Sequence, residues 1–245
     1  MSRLIKNFSK KYGFTLAEVL ITLGIIGVVA AITIPGLIAK YQQQQTIIRL
    51  KGAYSQLNQA IKRSTVDNEE VSGWDFDSPN WFDKYLADYL VGTQQKWKDL
   101  SDETSIPYKE VSGKRETGLA LLRPGFGGSK VYSMLNGVEF IFYIDTNSNT
   151  PNYATSVIID INSTYNGPNQ FGKDTFMFSL WKDGAFLPMG YRSTSECKVP
   201  YGFDREFLKK GSCLSYGCNK NGRGMWCAAL LMKDGWQMLP DYPWK

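Results

Sequence analysis

The sequence predicts an α+β protein in which a long N-terminal helix packs on an antiparallel β-sheet, followed by a disulfide-bearing C-terminal loop region. Three observations carry this prediction. An uncharged segment of 21 residues, 19–39, precedes an apolar stripe at helical spacing. Short strand-like segments are joined by Asn-Gly and Asp-Gly turns. All four cysteines lie between positions 197 and 227.

Composition excludes several kinds of site. The 245-residue chain contains no histidine, which rules out Ser-His-Asp and Cys-His hydrolase sites and zinc held by histidine. Four of its 28 basic residues fall within the first 13 residues, where there is no acidic residue: Arg3, Lys6, Lys10 and Lys11. The rest of the chain carries 24 basic and 23 acidic residues, so the net charge of +5 does not indicate a nucleic-acid-binding surface.

The first 40 residues carry the strongest signal. A helix of about 20 apolar residues spans the hydrocarbon core of a bilayer, so 19–39 is long enough to cross a membrane. The basic residues before it predict a cytoplasmic N-terminus and an extracytoplasmic remainder. A secretory signal peptide would have a shorter apolar region and a small-x-small cleavage site. A plain membrane anchor fits the length but gives no reason for Glu18, because a carboxylate in lipid needs a partner.

The string from Gly13 to Leu23, GFTLAEVLITL, resembles the class III signal of type IV pilins and type II secretion pseudopilins, a basic leader ending in glycine before Phe-Thr-Leu-x-Glu and an apolar helix. The resemblance implies that a prepilin peptidase cuts between Gly13 and Phe14 and N-methylates the new amine of Phe14. It implies that Glu18 pairs with that amine of a neighbouring subunit, since each charge needs the other in an apolar fibre core. A Glu18 that snorkels to the membrane interface is the alternative.

The same resemblance implies a helix break at Pro35, which lacks a backbone donor and lets the helix loosen in fibres. We expect a helix from Phe14 to about Ser64. Within it, the residues that follow the membrane segment form one apolar stripe with alternating spacings of three and four: Ile47, Leu50, Tyr54, Leu57 and Ile61. Two heptads are too short for a coiled coil, so we expect this stripe to seat a sheet of the same chain.

These observations divide the chain into four segments. Residues 1–13 form a basic leader that is removed, 14–39 a transmembrane and assembly helix, 40–70 its amphipathic continuation, and 71–245 an extracytoplasmic globular pilin-like domain. In the last segment the patterns predict helices at 80–90 and 225–233, with Asn80 as an N-cap and Gly235 as a C-cap. They predict strands at 118–122, 130–135, 138–144, 157–161, 175–181 and 185–187, with hairpin turns at Asn136-Gly137 and Asp183-Gly184.

An even number of cysteines confined to one region fits two disulfides in an oxidising compartment. A four-thiolate metal site is the alternative, but the two close Cys-x-x-Cys pairs of such sites are missing. Of the three possible connectivities, loop closure favours Cys197–Cys213 and Cys218–Cys227.

The segment 166–174 is rich in turn-forming residues, and residues 160–162 precede it. Asp160, Asn162 and Asp174 are oxygen donors of the kind that calcium prefers. No EF-hand pattern is present, because the string 145–149 lacks the glycine and the terminal glutamate. Asx residues in loops more often bond local backbone groups, so the residues favour local bonding and leave a calcium ion open.

The sequence thus predicts a prepilin-like structural subunit of a type IV pilus or a type II secretion pseudopilus, and does not separate the two. The alternative is a minor pilin that binds a secreted substrate, a surface or DNA. No catalytic or metal motif is present, so we expect neither an enzyme nor a cofactor. The expected partners are a prepilin peptidase, other pilin subunits and the cytoplasmic membrane, which the chain crosses once before joining a fibre; a nucleic-acid partner is not expected.

Overall fold

The computed structural model describes residues 13–76, 78, 80–90, 93–96, 108–115, 130–143, 150–194 and 197–244. Contacts divide the chain into two compact units, residues 1–44 and 45–245. Helix α1, Leu16–Asp67, contributes to both units. It begins two residues later than the sequence predicts and ends three residues later, and the described part of the chain has the predicted α+β fold.

In the second unit, one face of α1 is buried because its apolar residues recur at helical spacing. Leu50, Leu57 and Ile61 of the predicted stripe are buried, and Ile47 and Tyr54 are partly buried against the same core. The Tyr54 hydroxyl donates to the carbonyl oxygen of Phe186 at 3.2 Å. The stripe also includes small residues that the apolar pattern did not predict: Thr46, Ala53, Ala60 and Ser64.

The sheet is an antiparallel meander whose six strands pair in chain order. Its strands are β1 (Thr93–Lys96), β2 (Lys130–Met134), β3 (Glu139–Tyr143), β4 (Tyr153–Asp160), β5 (Thr175–Trp181) and β6 (Phe186–Pro188). All seven residues of β5 are buried, so both faces of the sheet are covered there. The core therefore lies around β4 and β5, which make the longest pairing in the sheet.

The two turn signals predict their hairpins correctly. Gly137 and Gly184 have φ values of 82° and 79°, a conformation that glycine adopts without strain. Strand β4 begins at Tyr153, four residues before the predicted start, because its first residues are polar although several are buried. Strand β1 was not predicted, since its sequence TQQK has no apolar alternation and only pairing with β2 defines it. The strand predicted at 118–122 lies outside the described residues.

The predicted helix at 80–90 is wrong as a single element. It is a short helix α2, Trp81–Tyr85, followed by a 3₁₀ turn, Ala87–Tyr89, because Leu86 has a non-helical φ of −127°. Asn80 occupies the N-cap position, but its side chain makes no capping bond. The large aromatic side chains of α2 are buried, so tertiary packing rather than helix propensity sets its length.

Two short helices organise the C-terminal region. Helix α3, Arg205–Lys210, was not predicted, although Asp204 caps it by accepting from the Phe207 amide at 2.8 Å and Gly211 ends it in the left-handed conformation. Helix α4, Cys227–Lys233, begins two residues later than predicted, and Gly235 follows it with a φ of 68°.

Two disulfides close this region and join the pairs that loop closure favours. Cys197 bonds Cys213 and Cys218 bonds Cys227, with Cα–Cα distances of 5.5 and 4.7 Å. The described part of the chain contains no free cysteine, so the four sulfurs do not form a thiolate metal site.

Candidate functional site

The residues just before α1 form a capping box at its N-terminus. Thr15 precedes the first helical residue, and Glu18 lies three positions later. The backbone amide and the hydroxyl of Thr15 each donate to Glu18 Oε2 at 2.8 Å, and the Glu18 amide donates to Thr15 Oγ1 at 3.3 Å. Each side chain thus satisfies a backbone donor that the helix leaves unpaired. The Glu18 carboxylate has a partner inside its own chain.

Thr15 is a residue that the sequence reasoning missed. The signal was present, because Thr-x-x-Glu before an apolar run is the capping-box pattern. The predicted cleavage residues, Gly13 and Phe14, lie immediately before this box and outside the helix. The Phe14 side chain is 89% exposed, and a side chain added at Gly13 would meet nothing within 4 Å. Gly13 and Phe14 are therefore exposed directly before α1, and Glu18 lies in its first turn.

The segment 19–39 of α1 carries no charge, and its large apolar side chains are exposed. No face of this segment is buried by the rest of its unit. Leu20, Ile25 and Ile32 are each at least 59% exposed. The hydroxyls of Thr22 and Thr33 donate to the carbonyls of Val19 and Val29, so they do not need water. An apolar surface of this kind is stable only against lipid or against other apolar helices. This helix is long and apolar enough to cross a membrane. Signal sequences meet the same two criteria.

Pro35 lies within α1, and the helix runs through it to Asp67 without interruption. The isolated chain therefore has no break at this position. Loosening at Pro35 inside a fibre stays a prediction. Gly24, Gly27 and Gly36 lie in the same apolar part of the helix, and a Cβ at any of them would meet nothing within 4 Å.

An ion-pair network ties the C-terminal tail to the two short helices. The Arg205 guanidinium contacts Asp234 at 2.7 Å and Asp241 at 2.5 Å, and Lys209 contacts Asp241 at 2.9 Å. Hydrogen bonds from Arg205 and Lys209 lower the pKa of the Asp241 carboxyl well below its usual range. Together with the disulfides, these contacts hold a region of little regular structure in place.

A cluster of three buried carboxylates lies where β3, β4 and β5 meet. Glu139 of β3 pairs directly across from Asp160, the last residue of β4, and Asp174 immediately precedes β5. Burial raises the pKa of Asp160 to about 8 and also raises the pKa of Asp174. Burial also acts to raise the pKa of Glu139, but hydrogen bonds from Thr164, Ser133 and Ser163 outweigh it and lower that pKa.

Comparison with known proteins assigns both parts of the chain. A model of the prokaryotic N-terminal methylation motif matches residues 8–34, and a model described as a family of unknown function, DUF6613, matches residues 36–245. No curated protein and no solved structure matches the chain. The methylation motif together with the long apolar helix identifies a type IV pilin-like, membrane-anchored protein, and indicates a structural subunit rather than an enzyme.

Proposed function

Because the chain belongs to the DUF6613 family of unknown function and begins with a methylation motif, we propose that it is a prepilin subunit cut between Gly13 and Phe14. The processed chain assembles into a type IV pilus or a type II secretion pseudopilus. The observation that carries the proposal is the exposed, apolar segment 19–39 of α1, with a single carboxylate, Glu18, directly before it. An isolated copy has nothing to cover this surface, whereas lipid or a bundle of identical helices covers it completely.

Cleavage changes the chemistry around Glu18. Before cleavage, the nitrogen of Phe14 belongs to an amide and carries no charge. After cleavage it is an amine, and in an apolar fibre core an unpaired ammonium or carboxylate is costly. A neighbouring Phe14 amine and Glu18 would neutralise each other there. The Thr15 capping bonds hold the carboxylate at the helix terminus until such a partner arrives.

The experiment that tests the proposal separates the capping role of Glu18 from its charge. Glutamine satisfies a capping box as well as glutamate does but carries no charge. We expect Glu18→Gln to leave membrane insertion and the fold of residues 45–245 intact while reducing fibre incorporation at least tenfold. Thr15→Val is the matched control, because it removes the cap partner and keeps the carboxylate; it should assemble at near wild-type levels.

Intact mass and the N-terminal residue of protein from native membranes provide the second readout. A chain that begins at methylated Phe14 supports processing, and Gly13→Leu should prevent it by placing a bulky side chain at the cut. A chain that still begins at Met1 in a host with an active prepilin peptidase would contradict the proposal. Glu18→Gln assembling as well as wild type would contradict the charge pairing alone.

A minor pilin that binds a partner is the second candidate. It is supported by two exposed apolar side chains in the disulfide-bearing region, Tyr201 and Leu214, the latter with a left-handed φ of 47°. Backbone strain of this kind concentrates at binding loops. This candidate predicts few copies in each fibre and loss of partner binding, without loss of assembly, when Tyr201 and Leu214 are changed to serine.

A further inference from the structure

A pocket lies where residues 243–244 approach two loops of the globular unit. Its volume is about 240 Å³, which is below the roughly 300–1,000 Å³ of pockets that hold drug-sized ligands. The pocket therefore suits a single ring or a single residue of a longer molecule. Four parts of the chain line it: residues 111–112, residues 170–173, Lys220 and residues 243–244.

The contacts of Gly172 build one wall of this pocket. The Tyr242 hydroxyl donates to the Gly172 carbonyl at 2.7 Å, and Tyr242 is buried. Gly172 has a φ of 82°, and a Cβ at this position would lie 2.7 Å from the sulfur of Cys227. Because glycine has neither a side chain nor strain at this φ, the loop approaches α4 closely. The Tyr242 hydrogen bond then holds Pro243 and Trp244 beside the loop.

The segment 109–115 contributes a second wall. Backbone hydrogen bonds join it to the loop between β4 and β5, which contains Gln170. Gln170 Nε2 donates to the carbonyls of Glu110 and Val111 at 3.2 and 2.9 Å. Turning this amide over would set its oxygen against two carbonyl oxygens, so the nitrogen stays where it is. The oxygen of Gln170 is therefore the acceptor end of a side chain that lines the pocket.

Two lysines line the pocket, Lys173 and Lys220. The Lys173 ammonium lies 5.5 Å from the centre of the Trp244 ring, so the ring and the charge face the same space. Among the described residues, no carboxylate forms an ion pair with Lys173. A cation–π contact of this kind compensates a charge only in part. An anion beside Lys173 would complete the compensation.

The acidic residues that neighbour the lining in sequence are Glu110 and Asp174, and neither lines the pocket. Glu110 Oε2 accepts from the Ser112 hydroxyl at 2.8 Å. Asp174 is buried and accepts from the backbone amides of residues 169 and 170 at 2.9 and 2.6 Å. In the part of the chain that the structure describes, the pocket lining thus carries positive charge only. A small cleft with charge of one sign favours a ligand of the opposite sign.

We propose that this pocket binds an acidic sugar residue of the uronate type. The carboxylate of the sugar pairs with Lys173 and Lys220. Its ring packs on Trp244 and Pro243, because the negatively charged face of an aromatic ring attracts C–H groups. The sugar hydroxyls supply donors that the Gln170 oxygen accepts. A bare phosphate or sulfate ion would use the lysines alone and leave the apolar wall in contact with water.

The test uses the full-length protein in detergent and ligand-observed NMR with sodium glucuronate as the probe. The ligand efficiency usual for small ligands gives a hexuronate, with about 13 non-hydrogen atoms, a Kd of about 1 mM. Glucose lacks the charge and should bind at least tenfold more weakly. Added salt should weaken glucuronate binding, because it screens the lysines. No saturable binding of glucuronate up to about 20 mM, well above that Kd, overturns the proposal.

Two variants locate the site. Lys173→Gln removes a charge and Trp244→Ala removes the ring, and each should weaken glucuronate binding at least fivefold. Lys182→Gln makes the same change as the first variant at an exposed lysine of the β5–β6 turn and should bind as wild type does. Thermal unfolding checks that all three variants are folded. Glucuronate binding unchanged in both pocket variants overturns the assignment.

Two further probes identify the class of ligand. Benzoate carries the same charge on a ring without hydroxyls, and benzoate binding as tight as that of glucuronate overturns the sugar assignment. A uronate oligomer that binds more tightly than glucuronate supports the proposal with a polysaccharide as the source, and equal affinity supports it with a single or terminal residue. These readouts do not depend on fibre assembly, so the proposal stands or falls apart from the role of Glu18.

Discussion

Residues 19–39 of α1 carry no charge and expose their large apolar side chains, whereas residues 45–67 of the same helix are apolar on one side only. The first part has no buried face within its unit, and the second buries Leu50, Leu57 and Ile61 in the core of its own chain. The helix is continuous, so its two parts differ in side-chain pattern and not in backbone conformation. The first part is left for lipid and neighbouring subunits, and the second makes the globular unit stable.

The largest difference between the two parts should appear when a leucine is shortened to alanine in each of them. Leu57→Ala leaves a cavity beside the sheet and should lower the free energy of unfolding by about 2–5 kcal/mol. Leu23→Ala removes a side chain that is 60% exposed and should leave that free energy unchanged. All seven tryptophans lie at or beyond Trp74, so tryptophan fluorescence during urea unfolding in detergent reports on the globular unit. Equal losses from both changes would contradict the division.

A somewhat smaller effect is expected from the C-terminal disulfides, which act only in the second unit. Replacing Cys218 and Cys227 together by serine should cost about 2–4 kcal/mol, because the unfolded chain gains freedom. Cys227 is also tightly packed, and a Cβ added at Gly172 would lie 2.7 Å from its sulfur. Urea unfolding measures the loss, and membrane extraction of the variant should match wild type. A change in extraction would show that the two parts of the chain are not independent.

The smallest effect concerns the pH dependence of the tail network. Because the pKa of Asp241 is lowered in the folded protein, the stability it contributes is fully present above its ordinary pKa near 4 and is lost progressively as the pH falls from there through the lowered pKa of the folded state. The carboxylate is 44% exposed, so the contribution is below about 1 kcal/mol. Asp241→Asn should lower the thermal midpoint slightly at pH 7, and this difference should shrink progressively as the pH falls below about 4. A midpoint difference of the same size at pH 7 and at acidic pH would assign the effect to packing.

Local patterns predicted much of the fold. The hairpin glycines marked two turns because only a residue without a side chain adopts their positive φ readily. Strand β5 was predicted with its observed bounds, since its largely apolar sequence suits a strand that is covered on both faces. The helical stripe beyond residue 45 was visible because the helix period leaves a trace in the order of residue types. The capping box formed by Thr15 and Glu18 could have been predicted from the same kind of local pattern, but it was missed.

The amino-acid order by itself determined the membrane-type segment, the methylation motif and the hairpins, because each depends on neighbours along the chain. It favoured two disulfides over a thiolate metal site, and the structure decided between them. Tertiary structure alone decided β1, whose polar residues become a strand only by pairing with β2. It also cut the helix predicted at 80–90 short at Tyr85. It alone brought Glu139, Asp160 and Asp174 together, since strand register sets which side chains face each other. Burial and local donors then moved the pKa values of Glu139 and Asp160 in opposite directions, because the free energy of a charge depends on its surroundings and not on its place in the sequence.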